Sequence, residues 1–269
     1  MRGRTGISVA GHFGELLQGR VGPGGPVALV TLPCPVLVCR AARVDGSFGL
    51  YQTGNRALRP ADLRLLLAAL GHPIRGRFRL GTQMPVGAGT GASTASRVAL
   101  AIAAGEEDPW RIARACLALE GASDPLMFAA PAQMLWASRE ARLLEALPPL
   151  PKLEILGGFF GPPRRTDPGD ANFPDIGDLV QGWKARAGDL PALAGLASQS
   201  ALRCLALRGP AGDPTEALAR RLGAAGFALA HTGSARALLF APGTIPPQAG
   251  KDLQAAGFSG ITRYSLAGT

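Results

Sequence analysis

The chain has 269 residues, 47% hydrophobic and 17% charged, the composition of an ordinary soluble protein with one large domain or two small ones. The net charge of +9 is almost all arginine, since only Lys152, Lys184 and Lys251 are lysines. The arginines are scattered, and aromatic residues are not interleaved with them. The expectation is therefore solvated surface charge and attraction for a phosphorylated ligand, and not nucleic acid.

The four cysteines, Cys34, Cys39, Cys116 and Cys204, have no zinc spacing and are expected as buried small apolar residues in a reducing cytosol. On a strand, Cys34 and Cys39 face opposite sides. Met1 to Gly6 lacks the apolar core of a signal peptide, and no uninterrupted apolar run approaches membrane-spanning length. A cytoplasmic protein without a membrane partner is expected; its oligomeric state is left open.

In chain order, Ile7 to Ala10 reads as a short strand entering a loop at Gly11. Pro26 to Arg40 reads as strands broken at Pro33 and Pro35. Asp45-Gly46 signals a hairpin before a strand at Ser47 to Gln52. Pro60 to Leu70 is a helix with Pro60 in its first turn. Arg77 to Gln83 alternates as a half-buried strand. A glycine turn then opens an alanine-rich helix ending near Gly105, and Asp108 caps a helix from Pro109 to Glu120. Ala132 to Leu147 is expected to be helical. Pro148-Pro149-Leu150-Pro151 is the best domain boundary, giving units 1–150 and 151–269. Beyond it come a strand at Leu153 to Phe160 and an irregular stretch from Pro162 to Pro174. Helices are expected at Ile176 to Ala187, Leu190 to Leu207 and Pro214 to Ala225. Strands at Phe227 to Ala230 and Ala237 to Phe240 are joined by His231-Thr232-Gly233-Ser234, and Ile261 to Ser265 closes the chain. Strands followed by helices, twice over, predict an α+β chain with two lobes.

The most informative segment is Pro85-Val86-Gly87-Ala88-Gly89-Thr90-Gly91-Ala92-Ser93-Thr94-Ala95. A glycine turn opening a helix is an anion site: the backbone can approach a phosphate, unpaired amides point at it, and the helix dipole adds about half a positive charge. Ser93 and Thr94 add hydroxyls for phosphate oxygens or a phosphate-bound magnesium. A Walker loop needs a lysine that is absent here. Gly87, Gly89 and Ala92 satisfy a dinucleotide fingerprint, but no strand separates the helix from Glu106-Glu107-Asp108, as that fold requires. A glycine turn packed tightly against a neighbour, without ligand, is the plain alternative.

Pro85, Gly89, Thr90, Gly91, Ala92, Ser93 and Ala95 resemble the second motif of the GHMP kinases, the galactokinase, homoserine, mevalonate and phosphomevalonate kinase superfamily. Thr90 stands where leucine is usual, and Ala92 where the first serine is usual. Val9 to Gly19 resembles the first motif. Its Gly14-Glu15-Leu16-Leu17-Gln18-Gly19 ending is similar to the L-threonine kinase branch, associated with cobalamin synthesis and propanediol utilisation. Ala230 to Ala235 resembles that branch's short third motif. The resemblance implies an N-terminal α+β domain, a ferredoxin-like C-terminal domain, and a cleft between them. It also implies an ATP- and Mg2+-dependent kinase acting on a small-molecule alcohol.

By resemblance Asp124, in Ser123-Asp124-Pro125, is the carboxylate facing the acceptor hydroxyl. An attacking alcohol must be aligned and lose its proton as the bond forms. Ser93 and Glu120 are the candidate magnesium ligands. Pro85 and Gly87 to Thr94 are the candidate nucleotide loop. Glu15 and Gln18, polar in an apolar stretch, are candidates for the substrate's amine or hydroxyl. His12, His231, Thr232, Gly233 and Ser234 are further candidates for substrate contact. The lysine that mevalonate-kinase-like members carry in the first motif is missing.

Overall fold

The computed structural model describes residues 6–164, 167, 169, 170 and 172–268. Arg165 of the adjacent arginines, and part of the irregular stretch before Pro174, lie outside them.

Two long antiparallel strands, β1 (Ile7–Arg20) and β2 (Val27–Val44), form the spine. The predicted loop at Gly11 is not a loop: β1 runs on through the whole first motif. Register shifts after Ala10, after His12 and after Glu15 absorb the irregularity as bulges, which twist a strand and re-aim its side chains without ending it. Pro33 and Pro35 likewise lie within β2, Pro33 opposite His12 at one of those irregular steps.

β3 (Gly49–Gly54) follows the Asp45-Gly46 turn, yet it does not pair back on β2 as a hairpin. α1 (Pro60–Ala69) crosses over, and β4 (Arg77–Thr82) inserts between β2 and β3, antiparallel to the first and parallel to the second. A parallel pair needs such a crossover. Phe78 and Leu80 of β4 are buried, while Arg77 and Arg79 are exposed, the alternation expected.

α2 (Ala92–Ala104) and α3 (Pro109–Glu120) follow, each ended by a left-handed glycine, Gly105 and Gly121. The Asp108 side chain caps α3 by accepting from the Trp110 amide at 2.8 Å. Ala132 to Leu147 is not helical. After a short 3-10 turn it forms the hairpin β5 (Met134–Ala137) and β6 (Arg142–Ala146), and β5 pairs with β2. All four β5 residues are buried. That demand for two-sided burial overrides helical propensity.

The remaining elements are β7 (Leu153–Phe159), α4 (Gly177–Ala185), α5 (Leu190–Arg208), α6 (Thr215–Arg221), β8 (Gly226–Leu229), β9 (Ala235–Phe240), α7 (Ala249–Ala255) and β10 (Ser259–Leu266). α7 carries only two buried residues, Ala249 and Leu253, too few for a readable stripe. Along the curled sheet the order is β10-β7-β9-β8-β1-β2-β4-β3, with β5 and β6 branching from β2. The sheet continues across Pro148–Pro151 through the pairing of β1 with β8.

One core cluster packs Phe13, Leu16 and Leu17 of β1 against Trp183 of α4 and Leu193 of α5. Another packs Val9, Phe78 and Leu80 against the small residues of α2 and the leucines of α1. Cys34 belongs to the first and Cys39 to the second, so the two do face opposite sides; all four cysteines are free and buried. α5 is long and apolar enough to cross a membrane by length and composition alone, although Ser198, Gln199, Ser200 and Arg203 interrupt its apolar run. Here it lies against β1 and β8.

Candidate functional site

A cleft of about 1040 Å3 collects residues from all three motifs, a volume suited to a ligand of nucleotide size. Its floor is the start of α2. Gly87, Gly89 and Gly91 have φ values of 78°, 77° and 67°. The close approach of neighbours explains two of these glycines as much as φ does. A Cβ on Gly89 would lie 2.2 Å from the Cβ of Ala230, and one on Gly91 would lie 2.6 Å from the His12 ring. The Ala88 carbonyl accepts from the amides of Ser234 (3.1 Å) and Ala235 (2.8 Å), and the His12 amide donates to the Thr90 carbonyl at 3.1 Å. The glycine loop is thus held by the third motif on one side and the first on the other. α2 starts without a side-chain cap, which leaves its first amides for a ligand.

Asp124 sits in the wall, its side chain a quarter exposed. Its Oδ2 lies 3.4 Å from His12 Nε2 and accepts a hydrogen bond from Thr94 Oγ1 at 3.3 Å. The other His12 nitrogen, Nδ1, lies 3.4 Å from Glu15 Oε1. Burial disfavours the imidazolium of His12, but Glu15 and then Asp124 outweigh it and raise its pKa to about 9. Burial also raises Glu15 to about 8, against the pull of His12. Asp124 is penalised by burial as well, yet the His12 hydrogen bond and charge hold it below its ordinary value. The three titrations are thus set together, and the imidazolium depends on the carboxylates on either side of it.

The loop bearing Asp124 is fixed by the hairpin the sequence did not reveal. Trp136 Nε1 donates to the Ser123 carbonyl at 2.6 Å, and the Ser123 amide donates to the Ser138 carbonyl at 2.8 Å. This brings Ser138 and Arg139 into the cleft. Both were missed because their segment was expected to be helical.

At the start of α2, Ser93 Oγ hydrogen-bonds Glu120 Oε1. Two hard oxygens beside an uncapped helix start fit a magnesium ion that keeps most of its waters. Arg97, also missed, shares both: its Nη1 lies 2.6 Å from Glu120 Oε1 and donates to Ser93 Oγ. A signal was present, since Arg97 is one helical turn beyond Ser93 in an otherwise small and apolar helix.

His231 stacks on Phe173 at 4.2 Å, and among the described residues neither ring nitrogen finds a hydrogen-bond partner. Burial, with Arg208 and Arg139, lowers its pKa to about 3, so it is a neutral imidazole. Thr232 also lines the cleft.

Of the expected site residues, His12, Glu15, Gly87, Gly89 to Thr94, Glu120, Asp124, His231 and Thr232 line this one cleft. Pro85, Ala88, Gly233 and Ser234 lie behind its lining and hold its backbone: Thr90 Oγ1 donates to the Pro85 carbonyl, and Gly233 wedges against Gly87 to Gly89. Gln18 is a correction. It is fully buried on the α5 side of β1, where its amide donates to Ser200 Oγ at 2.9 Å and its Nε2 to the Leu229 carbonyl at 2.8 Å. The bulges of β1 turn Glu15 toward the cleft, while Gln18 serves as a structural tie.

No family model and no curated protein matches the chain. Solved structures do. Mevalonate kinase from L. major, in complex with R-mevalonate, superposes with a TM-score of 0.68 at 16% identity, covering 100% of this chain and 98% of that one. Homoserine kinase from Cytophaga hutchinsonii gives 0.62 at 16%, covering 99% and 95%. A 4-(cytidine 5'-diphospho)-2C-methyl-D-erythritol kinase gives 0.57 at 22%, covering 98% and 100%. These neighbours are GHMP-superfamily kinases for small alcohols. The chain has their α+β fold over its whole length.

Proposed function

We propose that this protein is an ATP-dependent kinase that phosphorylates the hydroxyl of an amino-acid-like alcohol, with L-threonine, giving O-phospho-L-threonine, as the preferred acceptor. The observation that carries the reading is the 3.3 Å contact of Thr94 with Asp124. It sets a candidate base beside the first turn of an uncapped, glycine-led helix, which is where a triphosphate is best held. Units 1–150 and 151–269 act as the two lobes that close on the ligands.

The α2 amides bind the phosphates, and the glycine loop lets backbone approach them. Asp124 orients the acceptor hydroxyl and takes its proton as the oxygen attacks the γ-phosphorus, while ADP leaves with the electron pair of the broken bond. His12 keeps Asp124 ionised and aligned. Magnesium, held by Ser93 and Glu120, would supply charge neutralisation on the phosphate oxygens. Glu15, whose oxygens lack well-formed hydrogen bonds, supports an acceptor that carries an amine. The first-motif ending Gly14 to Gly19 supports the threonine branch and a link to cobalamin synthesis.

The test is ADP release with threonine, homoserine and serine, with the product identified by 31P NMR. Threonine is expected to give the highest kcat/KM. Faster turnover of homoserine would reassign the acceptor within the same chemistry, a reading favoured by the homoserine kinase neighbour. Asp124→Asn is expected to lower kcat about 10³-fold with ATP affinity unchanged. Unchanged turnover would remove Asp124 from the mechanism. If ATP binds and no alcohol is turned over, the chain is a nucleotide-binding protein and not a kinase.

A further inference from the structure

We propose that Arg97 is a built-in cation for the nucleotide's triphosphate, so that this chain binds ATP even without a divalent ion. The inference rests on the cleft being a nucleotide site.

Arg97 is 7% exposed and lines the cleft. Among the described residues its Nη1 makes the ion pair with Glu120 and the hydrogen bonds to Ser93 Oγ and the Ser93 carbonyl, and the Asp62 carboxylate across the cleft also feels its charge. Among the described residues, Nη2 and Nε make no hydrogen bond, and Nε is buried. A guanidinium is a rigid fork of five donors, suited to phosphate oxygens on its unused side. The charges are also placed against their helices. Arg97 reaches back to the first turn of α2, the positive pole, and Glu120 is the last residue of α3, at the negative pole. Each charge opposes its own helix dipole and leans on the other. An anion arriving at the start of α2 completes the arrangement by meeting the free side of Arg97 and the uncapped amides together. Glu120 and Ser93 hold the guanidinium in place when no metal is bound.

Isothermal titration calorimetry of ATP, in excess EDTA and in excess Mg2+, tests this on the full chain, on Arg97→Gln and on Arg97→Lys. The wild-type chain is expected to bind metal-free ATP within about tenfold of its affinity for MgATP. Arg97→Gln is expected to weaken metal-free ATP by about thirtyfold and MgATP by less than about fivefold, with Arg97→Lys between. If the wild-type chain binds MgATP but not metal-free ATP, or if Arg97→Gln weakens both equally, the proposal is overturned while the kinase reading stands. If neither form of the nucleotide binds, both fail. Should Arg97→Gln not fold, Arg97→Lys, which keeps the charge and loses the fork, decides. A loss of metal-free affinity larger than the loss for MgATP supports the proposal, and equal or no loss overturns it.

Discussion

His12 Nε2 stands 3.4 Å from Asp124 Oδ2, while Nδ1 of the same ring stands 3.4 Å from Glu15 Oε1. A single buried imidazole thus couples the first motif to the candidate base, in a chain whose first motif has no lysine.

That coupling has a pH signature. His12 and Glu15 have folded pKa values raised to about 9 and about 8, above ordinary values of 6.5 and 4.5. A raised pKa contributes stability that is full below the unfolded value and is lost as pH rises through the folded one. Asp124 has the opposite sign: its contribution is present above 3.8 and is lost on acidification. The midpoint of urea unfolding is therefore expected to fall from about pH 4.5 to about pH 9. In His12→Gln that slope is expected to flatten. A wild-type midpoint that is constant, or that rises over this range, contradicts the buried imidazolium.

Gly89 and Gly233 are held by contact as well as by φ. A Cβ on Gly233 (φ 107°) would lie 2.5 Å from the carbonyl carbon of Ala88. Gly89→Ala and Gly233→Ala are each expected to cost about 2–5 kcal/mol, from left-handed strain together with overpacking. Gly22→Ala is the control, because its φ is 83° but nothing lies within 4 Å of the added Cβ. It is expected to cost about 1–2 kcal/mol. Chemical denaturation of the three variants separates clash from strain.

Arg236 and Asp213 form an ion pair at 2.8 Å with both side chains 4% exposed. Arg236 Nη1 also donates to the carbonyls of Gly233 and Ala235, so the pair fixes the turn that supports the glycine loop. Asp213→Ala leaves a buried guanidinium without its counter-ion and is expected to destabilise the fold by about 3–5 kcal/mol. Binding of ATP should weaken along with stability. A variant as stable as wild type would show that water replaces the carboxylate.

Trp136→Phe removes the hydrogen bond to the Ser123 carbonyl and leaves most of the packing in place. The expected loss is about 1–2 kcal/mol in stability. Because the bond steadies the loop carrying Asp124, kcat should fall several-fold while ATP affinity holds. Calorimetric ATP binding beside steady-state turnover reads the two effects separately.

Sequence alone carried the α+β class, most helices and their caps, and the order of three motifs. Asp108 and Pro109 mark a helix start through local chemistry, and so do the glycines that end α2 and α3. The serine and glutamate expected as partners do touch, although 27 residues separate them. Local signals of this kind survive because capping, turn conformation and amphipathic spacing act over a few residues.

The rest was decided by packing between distant segments. Nothing within Met134 to Ala146 announces a hairpin; its strand exists because β2 offers an edge and a buried place for Trp136. Glu15 reaches the cleft and Gln18 does not, because bulges in β1, set by neighbours on both sides, choose the direction of each side chain. The charge of His12, kept against burial by Glu15 and Asp124, and the seat of Arg97 between Ser93 and Glu120, exist only where opposite charges meet in the fold. A linear sequence names the groups, but their protonation and aim depend on neighbours that only the folded chain supplies.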